Sequence, residues 1–111
     1  MGANEREPVT MTDISPLHRA LVARIRDNDA TAPRRLRRAA FDNADLDEPV
    51  RTLVEKVALR SHQVTDEDVA AVRASGLTED QIFEIVVCAA VGQASRQYDN
   101  ALAALAEAAG L

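Results

Sequence analysis

Aromatic residues are scarce in this chain of 111 residues: two phenylalanines, one tyrosine and no tryptophan. That scarcity, beside abundant alanine, argues against a sheet core of aromatic and β-branched side chains and for closely packed helices. Cys88 is the single cysteine, so no intrachain disulfide can form. Its apolar neighbours predict a buried, unreactive thiol, and the usage fits a reducing, cytoplasmic setting. No apolar run approaches membrane-spanning length, MGANEREPVT lacks the apolar core of a signal peptide, and Arg6 occupies the Ser/Thr position of a myristoylation signal. Neither a C-x-x-C nor an H-x-x-x-H spacing occurs, and His18 and His62 lie far apart, so neither a structural metal nor a cofactor is expected. Internal repeats, low-complexity tracts and clear strand-like alternation are also missing.

What remains is one all-α domain, expected over residues 14–111 as a bundle of five to six helices, behind a polar leader at 1–13. Charge divides unevenly along it. His18 to Phe41 carries seven arginines against two aspartates, whereas Asp42 to Leu111 carries thirteen acids against five bases. Attraction between segments of one fold, or between subunits, explains this more simply than an anionic partner does.

The helix signals follow in order. Ser15-Pro16 opens a first helix to about Asp27 with Leu17, Ala20, Leu21 and Ile25 on one stripe. Pro33 opens a second, ending near Asp42 or Asn43, with Leu36 and Ala39 or Ala40 inward and Arg34, Arg35, Arg37 and Arg38 outward. Pro49 opens a third as far as about Ser61, with Val50, Leu53, Val54, Val57 and Ala58 at helical spacing. Thr65 caps a fourth with Asp66, Glu67 and Asp68 in its first turn, a face of Val69, Val72 and Ala71, and Gly76 as its stop. Thr78 and Gln81 form a capping box before Ile82–Val91, apolar nearly all round, as expected of a helix buried at the centre of a bundle. Beyond Gly92 the helix either continues, bent there, or restarts near Asp99.

Several constellations invite a chemical reading. The RRLRR run of Arg34 to Arg38 is a candidate grip for phosphate or an acidic partner, but no aromatic side chain is interleaved to stack on bases and nucleic-acid binding is not expected. Thr65–Val87 imitates a helix-turn-helix, yet its second helix starts with Glu79, Asp80 and Gln81, which would repel phosphate. Asp66, Glu67 and Asp68 read first as helix-start charges rather than as general bases. Glu84 interrupts the most apolar helix and needs a partner. It is either a raised-pKa acid or, as expected here, the anion of an ion pair with an arginine of the basic segment or of a neighbouring subunit.

ASGLTEDQIFEIVVCAAVG, Ala74 to Gly92, with the flanking helices from about Glu48 to Leu105, resembles the carboxymuconolactone decarboxylase and alkylhydroperoxidase D-like superfamily. The resemblance implies an all-α fold assembled into dimers, trimers or hexamers. In the peroxidase-like branch it also implies a C-x-x-C-x-x-x-H motif ending eight residues before the turn glycine, Gly76 here, with an upstream glutamate. The matching positions hold Ser61, Val64 and Asp68, so disulfide exchange is lost and peroxidase activity is not expected. The decarboxylase branch uses a histidine where Asp68 stands.

Two functional classes follow from the resemblance. The first is a redox-inactive homo-oligomer with a binding or accessory role, serving a partner protein or a small acidic metabolite. The second is an acid/base enzyme of decarboxylase or isomerase type acting on a small carboxylate or lactone. There His62 and Asp68 would carry protons, Glu48 would stand one residue from the family's glutamate spacing, and Arg60 and Ser61 would help hold the substrate. A third reading has the basic patch docking an acidic partner.

Overall fold

Proline, threonine and glycine punctuation sets the element boundaries, and the elements appear where that punctuation places them. The computed structural model describes residues 16, 17, 19, 20, 22, 23 and 31–110. Its elements are α1 (Arg34–Asp42), α2 (Val50–Leu59), a 3₁₀ turn (Ser61–Gln63), α3 (Asp66–Ala74) and α4 (Glu79–Ala108), and no strand occurs among the described residues. Residues 16, 17, 19, 20, 22 and 23 are helical, within the span expected for a first helix. The rest of that span, including His18, Leu21 and Ile25, and the leader at 1–13 lie outside the described residues.

Each start has a local cause. Pro33 and Pro49 precede α1 and α2, where a fixed φ and a missing N–H cost nothing. Thr65 and Thr78 each close a reciprocal capping box. The Thr65 hydroxyl accepts from the Asp68 N–H and the Asp68 carboxylate accepts from the Thr65 N–H, and Gln81 plays the corresponding part for Thr78. At the far ends, α1 stops at Asn43 in the left-handed conformation (φ 51°), and Gly76 takes φ 114° after α3, where a side chain would be strained.

The core forms where α4 lies across α1 and α2. Ile82, Ile85, Cys88 and Ala89 of α4 meet Ala40 and Phe41 of α1, Leu53 and Val54 of α2, and Val72 of α3. Burying a side chain such as Leu53 or Ile85 stabilises the fold by roughly 1.5–3 kcal/mol. At the C-terminal end of α1 the two backbones come into contact at Gly92, and Arg96 Nη1 donates to the Phe41 carbonyl oxygen at 2.6 Å.

Of the two courses left open at Gly92, the helix takes the continuous one: α4 runs through Gly92 to Ala108, and that glycine serves close approach of α1. Two expectations need correction. First, α4 is not buried all round: its buried residues Ile82, Ile85, Cys88, Ala89, Gly92 and Ser95 form one stripe, and Phe83 on the other side is 69% exposed. The other described helices cover only one side of it. Second, Leu17 is 73% exposed and so does not lie on an inward stripe, whereas Val22 packs against the core. Among the described residues, no helix is long and apolar enough to cross a membrane.

Candidate functional site

The region that the family resemblance singles out is the junction of α2, the 3₁₀ turn and α3. Lys56 is the only lysine of the chain, and it lies on α2 between the apolar pairs Leu53-Val54 and Val57-Ala58. From there its ammonium reaches α3, donating to Asp68 Oδ1 at 3.1 Å and Oδ2 at 2.9 Å, with both side chains largely shielded from solvent. Asp68 Oδ2 also accepts from the Thr65 N–H at 2.9 Å, while the Asp68 N–H donates to Thr65 Oγ1 at 3.2 Å. The Lys56 ammonium, followed by the Thr65 N–H, holds the Asp68 carboxyl below its ordinary range. At neutral pH this carboxylate is therefore charged, hydrogen-bonded and oriented for packing α3 on α2. Sequence reading missed Lys56, the one lysine of the chain, at the edge of the apolar stripe of α2.

The other candidates near it are placed differently. Arg60 caps α2 and its Nε donates to Gln63 Oε1 at 3.1 Å. Ser61 and His62 are exposed on the 3₁₀ turn. Glu48 sits at the opposite end of α2, where its Oε1 accepts from Thr52 Oγ1 at 2.6 Å and from the Thr52 N–H at 3.2 Å, and its Oε2 from Arg51 Nε at 3.2 Å. The Thr52 hydroxyl leads the interactions that lower its pKa. The ten-residue α2 separates Glu48 from the turn bearing His62 by about 15 Å along its axis. The structure thus brings Asp68 to Lys56 and Thr65, and does not bring Glu48 to His62.

A second polar cluster joins α4 to the start of α1. Glu84 accepts at Oε1 from the Ala32 N–H (2.7 Å) and at Oε2 from Thr31 Oγ1 (2.8 Å) and the Thr31 N–H (3.2 Å). Gln81 Nε2 donates to the Thr31 carbonyl oxygen at 3.1 Å, and Arg37 Nε donates to that of Ala32 at 3.2 Å. The N–H and C=O groups of both residues are therefore paired in a segment without secondary structure of its own. Desolvation pushes the Glu84 pKa up, but the N–H of Ala32, the donors of Thr31 and the charge of Arg37 outweigh it and leave the pKa below its ordinary value. Arg37 was expected outward with Arg34, Arg35 and Arg38. It is instead only 3% exposed, because it precedes Ala40 and Phe41 by three and four residues and so shares their inward face.

Arg34, Arg35 and Arg38 remain on the exposed side of α1 and line a depression of about 490 Å³ that also contains Asp42 and Asp45. Two neighbouring depressions, of about 380 and 300 Å³, share Asp45 and Leu46 with each other, and Glu48 and Arg35 line the smaller one. None of these three is lined by His62 or Asp68. Among the described residues, no group of three or more His, Cys, Asp or Glu side chains is arranged to hold a metal ion. Cys88 is buried, and desolvation pushes its thiol pKa up, away from a reactive thiolate. The chain matches no model of a known protein family, no curated protein and no solved structure.

Proposed function

We propose that this chain is a divergent, redox-inactive relative of the carboxymuconolactone decarboxylase and alkylhydroperoxidase D-like superfamily, working as a homo-oligomeric binding or accessory protein. Its occupant is a partner protein or a small acidic metabolite. The observation that carries this reading is the state of Asp68, at the position where the resemblance puts a catalytic histidine. That carboxylate is held by Lys56 and by the Thr65 capping box, so it fastens α3 to α2 and is a weaker base than an ordinary aspartate. Ser61 and Val64, at the positions matching the cysteine pair, cannot form a disulfide, and Cys88 is buried on another helix.

The test is peroxide consumption by the full chain with an external dithiol as reductant. Turnover is expected at the rate seen without protein, in the wild type and in Cys88→Ala alike. Dithiol-dependent turnover that survives Cys88→Ala would overturn the proposal.

A further inference from the structure

The depressions of about 490 and 300 Å³ beside α1 have Arg35, Ala39 and Asp45 in common, so they adjoin as one groove between α1 and the loop that returns to α2. Each falls within the roughly 300–1,000 Å³ of small-molecule sites. The floor is apolar. Leu36 and Ala39, half-buried and three residues apart on α1, meet the buried Leu46 and Val50 from the loop and the start of α2. The walls are charged, with both signs present. Arg34, Arg38 and Asp42 follow at steps of four along one stripe of α1, and Arg35 lies on the next stripe with Ala39 four residues on. The chain then turns back through Asn43 and Asp45, both left-handed (φ 51° and 60°), a conformation that Asn and Asp tolerate better than most residues. Leu46 anchors that turn in the core, and the exposed Asp45 and Asp47 enter the same groove as Arg35. Among the described residues, no ion pair joins Arg34 or Arg35 to Asp42, Asp45 or Asp47. Glu48, also in the groove, is already engaged by Thr52 and Arg51.

We infer that this groove binds a free amino acid with an aliphatic side chain. Its carboxylate lies on Arg35, its ammonium at Asp45 and Asp47, and its side chain over Leu36, Leu46 and Val50. Charge complementarity selects this ligand. A plain carboxylate drawn to Arg35 would also meet the like charges of Asp45 and Asp47, and a plain amine drawn to those acids would meet Arg34 and Arg35. A molecule that carries both charges on one carbon gives each wall its counter-charge. The planar guanidinium of Arg35 matches a carboxylate through two parallel N–H donors, which orients the ligand as well as attracting it. The floor then decides the third substituent: it offers aliphatic surface and, among the residues that line the groove, no aromatic ring. An amino acid is a small acid carrying its own ammonium, so the inference names the occupant of the binding role proposed above and rests on that reading.

Backbone amide shifts of the isotope-labelled full chain, followed by NMR as L-leucine is added, test this. Leucine is expected to move the amides of Arg35, Ala39, Asp45 and Leu46 to saturation and to leave those of His62 and Asp68 in place. Arg35→Gln and Asp45→Asn should each weaken binding by about tenfold or more, since each removes one charged contact. Asparagine also adopts the left-handed conformation, so the turn at residue 45 survives the change. Removing either charge from the ligand should have the matching effect. Isocaproate lacks only the ammonium of leucine and isoamylamine only its carboxylate, and each is expected to bind at least about tenfold more weakly. Isocaproate binding as tightly as leucine would mean a plain carboxylate site and overturn the inference, leaving a small acid as the occupant. Isoamylamine binding as tightly as leucine would overturn it as well. So would the absence of any saturable shift, or one that both variants leave unchanged. None of these results touches the parent reading, which fails separately if dithiol-dependent peroxide turnover survives Cys88→Ala.

Discussion

Gly92→Ala is expected to destabilise the protein by about 3 kcal/mol, the upper end of the usual range for overpacking. For a domain of this size that lowers the melting temperature by roughly 12–24 °C. The sign is the informative part. At an ordinary position inside a helix the same change stabilises by about 1 kcal/mol, because alanine loses less conformational freedom. Here a Cβ on residue 92 would lie 1.9 Å from the Phe41 carbonyl oxygen, 2.7 Å from its carbon and 2.9 Å from its Cα. These are backbone atoms near the C-terminal end of α1, so no side-chain rotation relieves the clash and the two helices must separate. Separation also stretches the Arg96 to Phe41 hydrogen bond and opens the contact between Phe41 and the core. Thermal unfolding followed by circular dichroism, at one fixed protein concentration, measures the effect. An unchanged or raised melting temperature would mean that α1 does not lie against α4 at this point.

Glu84→Ala is the second large effect, with an expected loss of about 1–3 kcal/mol. The variant removes the acceptor for three donors, and the Ala32 N–H belongs to a residue only 2% exposed, so water cannot readily take over. It also removes the negative charge that attracts the buried Arg37. Glu84→Gln keeps one carbonyl oxygen to accept from Ala32 and should lose about half as much. The two variants should also change the response to acid. Folding lowers the Glu84 pKa below its usual 4.5, so the unfolded chain binds this proton more tightly than the folded one. Its stabilising contribution is complete above the unfolded value and disappears as pH falls through the lower folded value. Denaturant unfolding as a function of pH should therefore give a shallower acid limb for Glu84→Gln than for the wild type. Parallel limbs would show that the carboxylate gains nothing from Thr31 and Ala32.

Local features were legible before any coordinates. Thr65, Thr78, Pro33, Pro49 and Gly76 mark helix boundaries through interactions spanning a few residues, and α1 to α3 begin and end close to where those residues place them. Distant pairings were not legible. Arg37 looks like its neighbours in RRLRR, and its place three and four residues before Ala40 and Phe41 buries it only because that face of α1 packs on α4. Gly92 reads as a possible break until Phe41, far away in sequence, is seen to occupy the space a side chain would need. Asp68 reads as one of three helix-start acids, and the ion pair with Lys56 across two helices sets it apart from Asp66 and Glu67. The apolar character of α4 on both sides was visible from the residues alone, but which side the rest of the chain leaves open depended on the fold.

The proposed function turns on Asp68 serving as a structural bond between α2 and α3 and not as a proton carrier. Carbon-detected NMR titration of the Asp68 side-chain carboxyl tests it most directly. The expected midpoint lies below the usual aspartate value of 3.8, and it should rise toward that value in Lys56→Met, which removes the ammonium that lowers it. A wild-type midpoint above 3.8, unmoved by Lys56→Met, would instead describe a carboxyl poised to hold a proton and would contradict the claim.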